Sequence, residues 1–313
     1  MGNDFNARLS EKAAHIEDVL KDFLPTEEGY AKTVIEAMNY SLLAGGKRLR
    51  PMMILEAYRL FAGENADEEV VRPFMAAMEM IHTYSLVHDD LPAMDNDEYR
   101  RGRKTTHAIY GPGMATLAGD GLLNYAYETA LSGAIKGPKL TEYDGDNSSR
   151  YLQALMILAT KAGIYGMVGG QCADIMAENA TDVPDDVMKD TLHYIDENKT
   201  GALIEASLMI GAVLGGATSK QVALMEKAGS NVGIAFQIQD DILDITSTAE
   251  VLGKPIGSDE KNGKSTYVSL YGMDEAKAKV KELSDGAIDI LDELGFKQSF
   301  LDELFRYLIY REK

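Results

Sequence analysis

Residues 73–90 read "PFMAAMEMIHTYSLVHDD". A long run rich in Met and Ala passes directly into two aspartates. The residue types suit a helix, the two-residue alternation of a strand is missing, and Pro92 marks the end. The stretch beyond it, 87–107, "VHDDLPAMDNDEYRRGRKTTH", sets Asp89, Asp90, Asp95, Asp97 and Glu98 against Arg100, Arg101, Arg103 and Lys104. An apolar helix delivering a dense acid cluster to a dense basic one is the feature around which the rest of the chain is read.

Outward from it the pattern is helix after helix. Residues 7–24 put Leu9, Ala13, Ile16, Leu20 and Leu24 on one stripe. Helices also fit 32–43, stopped by Gly45 and Gly46, then 53–63, 114–133, 150–178, 185–197, 200–214, 218–244, 274–294 and 298–311. Residues 138–149 and 251–264 read as surface loops. No fixed-period repeat or low-complexity linker interrupts 1–313. The expected architecture is all-α: one domain, a bundle of ten or more helices around a central cavity.

Composition narrows the function. Of 313 residues 45% are hydrophobic, enough for a large core, and the net charge of −19 argues against general nucleic-acid binding. The single Cys172 excludes an intrachain disulfide and suits a reducing cytoplasm. The first residues, "MGNDFNARLSEKAAH", carry no apolar signal core, and Asn6 stands where a myristoylation signal wants Ser or Thr. "GALIEASLMIGAVLGGAT" (201–218) nearly has the length of a membrane span. Glu205 within it would be costly in lipid, so a buried core helix is expected and no span.

A second acidic cluster lies in "AFQIQDDILDIT" (235–246). Asp240 and Asp244 are four apart and Asp241 and Asp244 three apart, so they share a helix face and repel. A solvated face would be the plain explanation. Phe236, Ile238, Ile242, Leu243 and Ile245 instead point this stretch toward the interior. Hard divalent cations with oxygen ligands would offset such charge. A Ca²⁺ loop does not fit the first cluster, because Arg100 and Thr106 stand where that loop needs Gly and Glu. "DGDNSS" (144–149) fails the same test. Basic residues supply the counterpart: Lys47, Arg48 and Arg50 in "GGKRLRP", then Arg100, Arg101, Lys199, Lys254 and Lys264. Cations on one phosphate group and metal on another would suit two phosphorylated substrates.

Seven motifs occur in order: "GGKRLRP" (45–51), "DDLPAMD" (89–95), "RRG" (100–102), "GGQCADI" (169–175), "KTGALIEAS" (199–207), "FQIQDDILD" (236–244) and "GKSTY" (263–267). In these the chain resembles the trans-isoprenyl diphosphate synthases, from about residue 30 to 310. The resemblance implies that Asp89, Asp90, Asp95, Asp240, Asp241 and Asp244 hold Mg²⁺, with Mn²⁺ as a substitute, on an allylic diphosphate. It implies that Arg100, Lys199, Lys254 and Lys264 contact that diphosphate. Lys47, Arg50, His82 and Arg101 would form the isopentenyl diphosphate pocket. Gln171, Thr200 and Gln237 would line the reacting centre, with Asp174 behind the metal ligands. His82 would otherwise read as a core histidine, and His88 and His107 receive no role. Two departures stand out. Lys104 replaces the proline usual after "RRG", and "YREK" matches only part of the family's basic tail, where Arg311 and Lys313 lie.

The implied reaction is ionisation of the allylic C–O bond, attack by the double bond of isopentenyl diphosphate, and loss of a proton to the departing diphosphate. Cations around the leaving group stabilise its growing charge. Both acid clusters must then serve one phosphate group, which would require the helices at 73–90 and 218–244 to face each other. Tyr84 and Ser85, five and four residues before Asp89, lie ~6–7.5 Å along the helix from the metal ligands. In similar sequences an aromatic at the fifth position goes with short products. Farnesyl diphosphate (C15) is therefore expected, with the C20 and C10 diphosphates as alternatives. A terpene cyclase would need a second metal motif that 240–248 does not complete. A non-catalytic partner subunit would be expected to lose an aspartate motif. The resemblance also implies a homodimer in the cytoplasm.

Overall fold

The computed structural model describes residues 2–136, 145–178, 180, 183–246 and 265–309, and these are helical almost throughout. They gather into two compact units. The first comprises residues 1–155 with 214–216, and the second 156–213 with 217–313.

In the first unit α1 (Gly2–Asp22), α2 (Lys32–Leu42) and α3 (Leu49–Ala62) lead through one 3₁₀ turn (Glu68–Val70) into α4 (Arg72–Asp89). A hairpin of two-residue strands, β1 (Tyr99–Arg100) and β2 (Arg103–Lys104), follows, then α5 (Thr106–Tyr110), α6 (Pro112–Lys136) and the first part of α7 (Gly145–Ala162). Helix α4 is the core of this unit. Phe74, Met75, Ala76, Ala77, Met78, Met80 and Ile81 are all sealed, so its apolar residues run round the whole helix instead of forming a stripe. It packs on α3 and most extensively on α6. Ala115, Ala118, Leu122, Ala126 and Ala130 recur at three- and four-residue steps on the buried face of α6. Small side chains there admit a close approach. Gly119 and Gly121 leave room for His88 and Met38, onto which an added Cβ would collide.

The second unit holds the rest of α7, then α8 (Met167–Glu178), α9 (Asp185–Ile195), a π-helical segment (Asp196–Gly201), α10 (Ala202–Leu214), α11 (Ser219–Thr246), α12 (Tyr267–Tyr271), α13 (Met273–Glu293) and α14 (Phe300–Ile309). Every residue of α10 is buried, as a core helix requires. Its Glu205 is compensated by Lys161, which also lies 2.7 Å from Glu226. Glycines bring the elements together. Gly233 on α11 meets Gly201, and Gly229 meets the backbone of Glu205.

Several boundaries depart from the sequence reading. The helix expected over 150–178 is two, because Gly163 and Gly166 bracket a turn. This same stretch, Ser148–Glu178, is long and apolar enough by composition to cross a membrane, but it is broken at that turn. Residues 145–149, read as loop, open α7. Helix α3 begins at Leu49, ahead of Pro51, which sits in the first turn where its missing N–H has no helical partner to lose. Lys254, Lys264, Arg311 and Lys313 lie outside the described residues.

Candidate active site

In the first unit the glycine pair after α2 turns with positive φ at both Gly45 (80°) and Gly46 (137°). The turn serves a contact. The Arg101 guanidinium occupies the space where a side chain on residue 46 would sit, with Nη1 2.5 Å from an ideal Cβ, and it donates to the Gly45 carbonyl. "GGKRLRP" and "RRG" are thereby folded onto each other. Arg50, in the first turn of α3, reaches to 3.4 Å from Nε2 of His82 on α4. Its own Nε is buried with no hydrogen-bond partner among the described residues. Burial, then the nearby Arg101, hold Arg50 down to about 10. His82 is held well below its usual range by burial and then by Arg50, Arg101, Arg48 and Arg100. Four guanidinium groups thus bear on one neutral imidazole. Lys47 is exposed beside them.

The acid cluster begins where α4 ends. Asp90 is buried and accepts from Arg100 Nε at 2.7 Å, while Arg100 Nη2 lies 3.7 Å from Asp97. Burial pushes the Asp90 carboxyl up and Arg100 opposes it. Asp95 is exposed, and its N–H donates to the Asp89 carbonyl at 2.9 Å, closing the turn that carries both. His107 braces this loop. Its Nε2 lies 2.9 Å from the Asp97 carbonyl, which also accepts from Thr105 Oγ1 at 2.7 Å. Tyr84 is buried, edge-on to His88 with ring centroids 5.8 Å apart. Burial, with smaller contributions from Tyr127 and Asp89, pushes its hydroxyl up to about 12. Ser85 turns back onto its own helix, donating to the His82 carbonyl at 2.9 Å.

In the second unit a cavity of about 180 Å³ is lined by Asp174, Asp196, Lys199, Thr200, Gln237, Asp240 and Asp241, among others. Six residues picked out from sequence meet there: Asp174, Lys199, Thr200, Gln237, Asp240 and Asp241. Lys199 and Thr200 project from the π segment, a distortion of helical bonding that recurs at functional sites. Gly170 makes it fit, since an added Cβ would come within 2.7 Å of Lys199 Cα. Lys199 Nζ lies 2.5 Å from Asp174 Oδ2. Asp241 accepts from the backbone N–H of Tyr267, at the start of α12, at 2.8 Å. Asp244 is buried one turn on, and half-buried Gln171 is not part of the lining. Sequence reasoning missed Asp196. It is buried, and burial followed by Asp241 and Asp174 pushes its carboxyl well above the usual range. Its neighbours Glu197 and Asn198 make it read as solvated, although its place three residues before Lys199 was a usable signal.

Among the described residues no group of three or more His, Cys, Asp or Glu side chains stands at metal-holding distances. The donors are nonetheless all carboxylate oxygens, with Asp240, Asp241 and Asp174 concentrated around one cavity. That set fits Mg²⁺, which is usually held by one or two carboxylates plus water and substrate phosphate, without a complete protein cage.

Comparison with known proteins identifies the family. The polyprenyl synthetase family model matches residues 31–292. The chain is 43% identical over 274 residues to a farnesyl diphosphate synthase of Geobacillus stearothermophilus, covering 87% of this chain and 86% of that one. It is 41% identical to a chloroplastic geranylgeranyl pyrophosphate synthase of Capsicum annuum, covering 99% and 79%. Among solved structures, an FPP/GFPP synthase from Zymomonas mobilis superposes with a TM-score of 0.82 at 32% identity, over 99% of this chain and 100% of that one. The chain therefore belongs to the polyprenyl synthetase family, and it is a transferase.

Proposed function

We propose that the protein condenses isopentenyl diphosphate with dimethylallyl and then geranyl diphosphate, releasing farnesyl diphosphate. The observation that carries this reading is the basic cluster of the first unit, where Arg50 reaches His82 and Arg101 lies on the Gly45–Gly46 turn beside exposed Lys47. Positive charge concentrated in this way is the complement of a diphosphate. Arg50, Arg101, Lys47 and His82 would hold isopentenyl diphosphate.

Lys199 would bind the allylic diphosphate, and Asp240 and Asp241, which line the same cavity, would hold Mg²⁺ on it. When bound, Mg²⁺ supplies positive charge for the diphosphate as its C–O bond breaks. The Thr200 hydroxyl and the Gln237 amide carbonyl would face the allylic cation with weak dipoles and exclude water from it. The proton lost in the final step passes to the departing diphosphate. Buried Tyr84 would close the hydrocarbon end at C15.

A C20 product is the second reading, favoured by one observation: at about 40% identity the relatives carry both farnesyl and geranylgeranyl names. The proposal includes a homodimer in the cytoplasm, with exposed apolar residues of α6 such as Leu117 covered by the second copy. The test is incubation with isopentenyl and dimethylallyl diphosphates and Mg²⁺, with an EDTA control, followed by chromatography of the dephosphorylated alcohols. Metal-dependent farnesol is expected. Geranylgeraniol would move the product to C20, and no condensation would overturn the enzyme assignment.

A further inference from the structure

"GGKRLRP" presents three cations in four residues, and the structure gives each a different setting. Lys47 is exposed, and Arg50 has a buried Nε without a partner among the described residues. Arg48, between them, is sealed, with its side chain 1% exposed. Its fork is used on three sides: Nε donates to Glu17 of α1 at 2.7 Å, Nη1 to Glu79 of α4 at 2.6 Å, and Nη2 to the Leu42 carbonyl at the end of α2 at 2.7 Å. Arg48 also stands at the N-cap of α3 with φ 50° and ψ 36°, a left-handed conformation that a long side chain avoids unless its surroundings impose it.

We infer that Arg48 is a positioning residue for the isopentenyl diphosphate pocket, clamping the start of α3 to α1, α2 and α4 so that Arg50 and Lys47 stand at a fixed distance from His82. The inference rests on the proposed function for what the pocket binds. The spacing supports it. Glu79 lies three residues before His82 on the same face of α4, so the Arg48–Glu79 bond sets α3 against α4 one turn from the Arg50–His82 contact. The clamp also settles charge. Glu79 is engaged by Arg48, and Arg50 makes no ion pair among the described residues, so its positive charge remains for an anion. Lysine at position 48 would keep the charge but lose the three-way fork.

Steady-state kinetics of the full chain with Mg²⁺ test this, using Arg48→Lys, Glu17→Gln and, as a direct pocket variant, Lys47→Ala. Arg48→Lys should raise KM for isopentenyl diphosphate about tenfold while leaving KM for the allylic diphosphate within about twofold. Glu17→Gln, which takes the charge from one arm of the clamp, should shift the same constant about threefold, and it carries the test if Arg48→Lys does not fold. A positioning role is overturned if the folded variants lose thermal stability with both KM values unchanged, or if both constants move together. If Lys47→Ala also leaves the isopentenyl KM unchanged, it is the pocket assignment that fails. If Lys47→Ala raises it and the clamp variants do not, only the inference about Arg48 fails.

Discussion

Tyr84 and His82 stand two residues apart on one helix and make separable predictions. Tyr84→Ala should lengthen the product, and chromatography of the alcohols checks it; an unchanged product would remove Tyr84 as the floor. For His82 the pH dependence follows from its lowered pKa. The folded protein resists a proton that the unfolded chain takes up below its ordinary value of 6.5. The stability this residue contributes is therefore intact above that value and is lost as pH falls toward the lowered folded one. Urea titrations at about pH 7.5 and about pH 5.5 should show the wild type losing more stability than His82→Gln. Equal losses would mean that His82 protonates freely. At this scale the sequence was informative about which residues gather, as for Asp240 and Lys199, which line one cavity. It was silent where burial decides. Asp196 reads as surface charge among charged neighbours and Arg48 as one more cation for a phosphate, and only packing makes one a pocket carboxyl and the other a clamp.

Among the elements, long helices were legible because periodicity accumulates over many residues, and α4 and α11 were found almost to the residue. The hairpin was not, since two residues per strand offer no alternation to detect. The turn at Gly163–Gly166 was overlooked although two glycines mark it. The π segment left no compositional trace, because it arises from how α8 and α11 crowd the chain between α9 and α10. That crowding can be tested. Gly170→Ala would force its new methyl against the Lys199 backbone and should cost about 1–3 kcal/mol, with displacement of Lys199 and a fall in turnover. Thermal unfolding and activity together check it. Full activity with an unchanged midpoint would show that the two elements have slack.

For the whole molecule, a net charge of −19 includes acid that bound Mg²⁺ would offset. EDTA should abolish condensation. Mg²⁺ with inorganic diphosphate should raise the thermal midpoint, by ~2.7 kcal/mol of stabilisation at ~100 times Kd; Mg²⁺-independent turnover would contradict the assigned role of the aspartates. The helical rod from Asp185 to Leu214 carries one more implication. A π turn takes up one residue more than an α turn over the same arc, so it behaves as a single-residue insertion that leaves the flanking helices in phase. Deleting Asn198 should let ordinary helix run straight through, with Ile195 before it and Leu203 after it still facing inward. The deletant should fold with unchanged helicity and yet be inactive, because Lys199 and Thr200 would lose their aim. Chain length at this point, more than side-chain identity, would then separate a catalyst from an inert copy of the same fold.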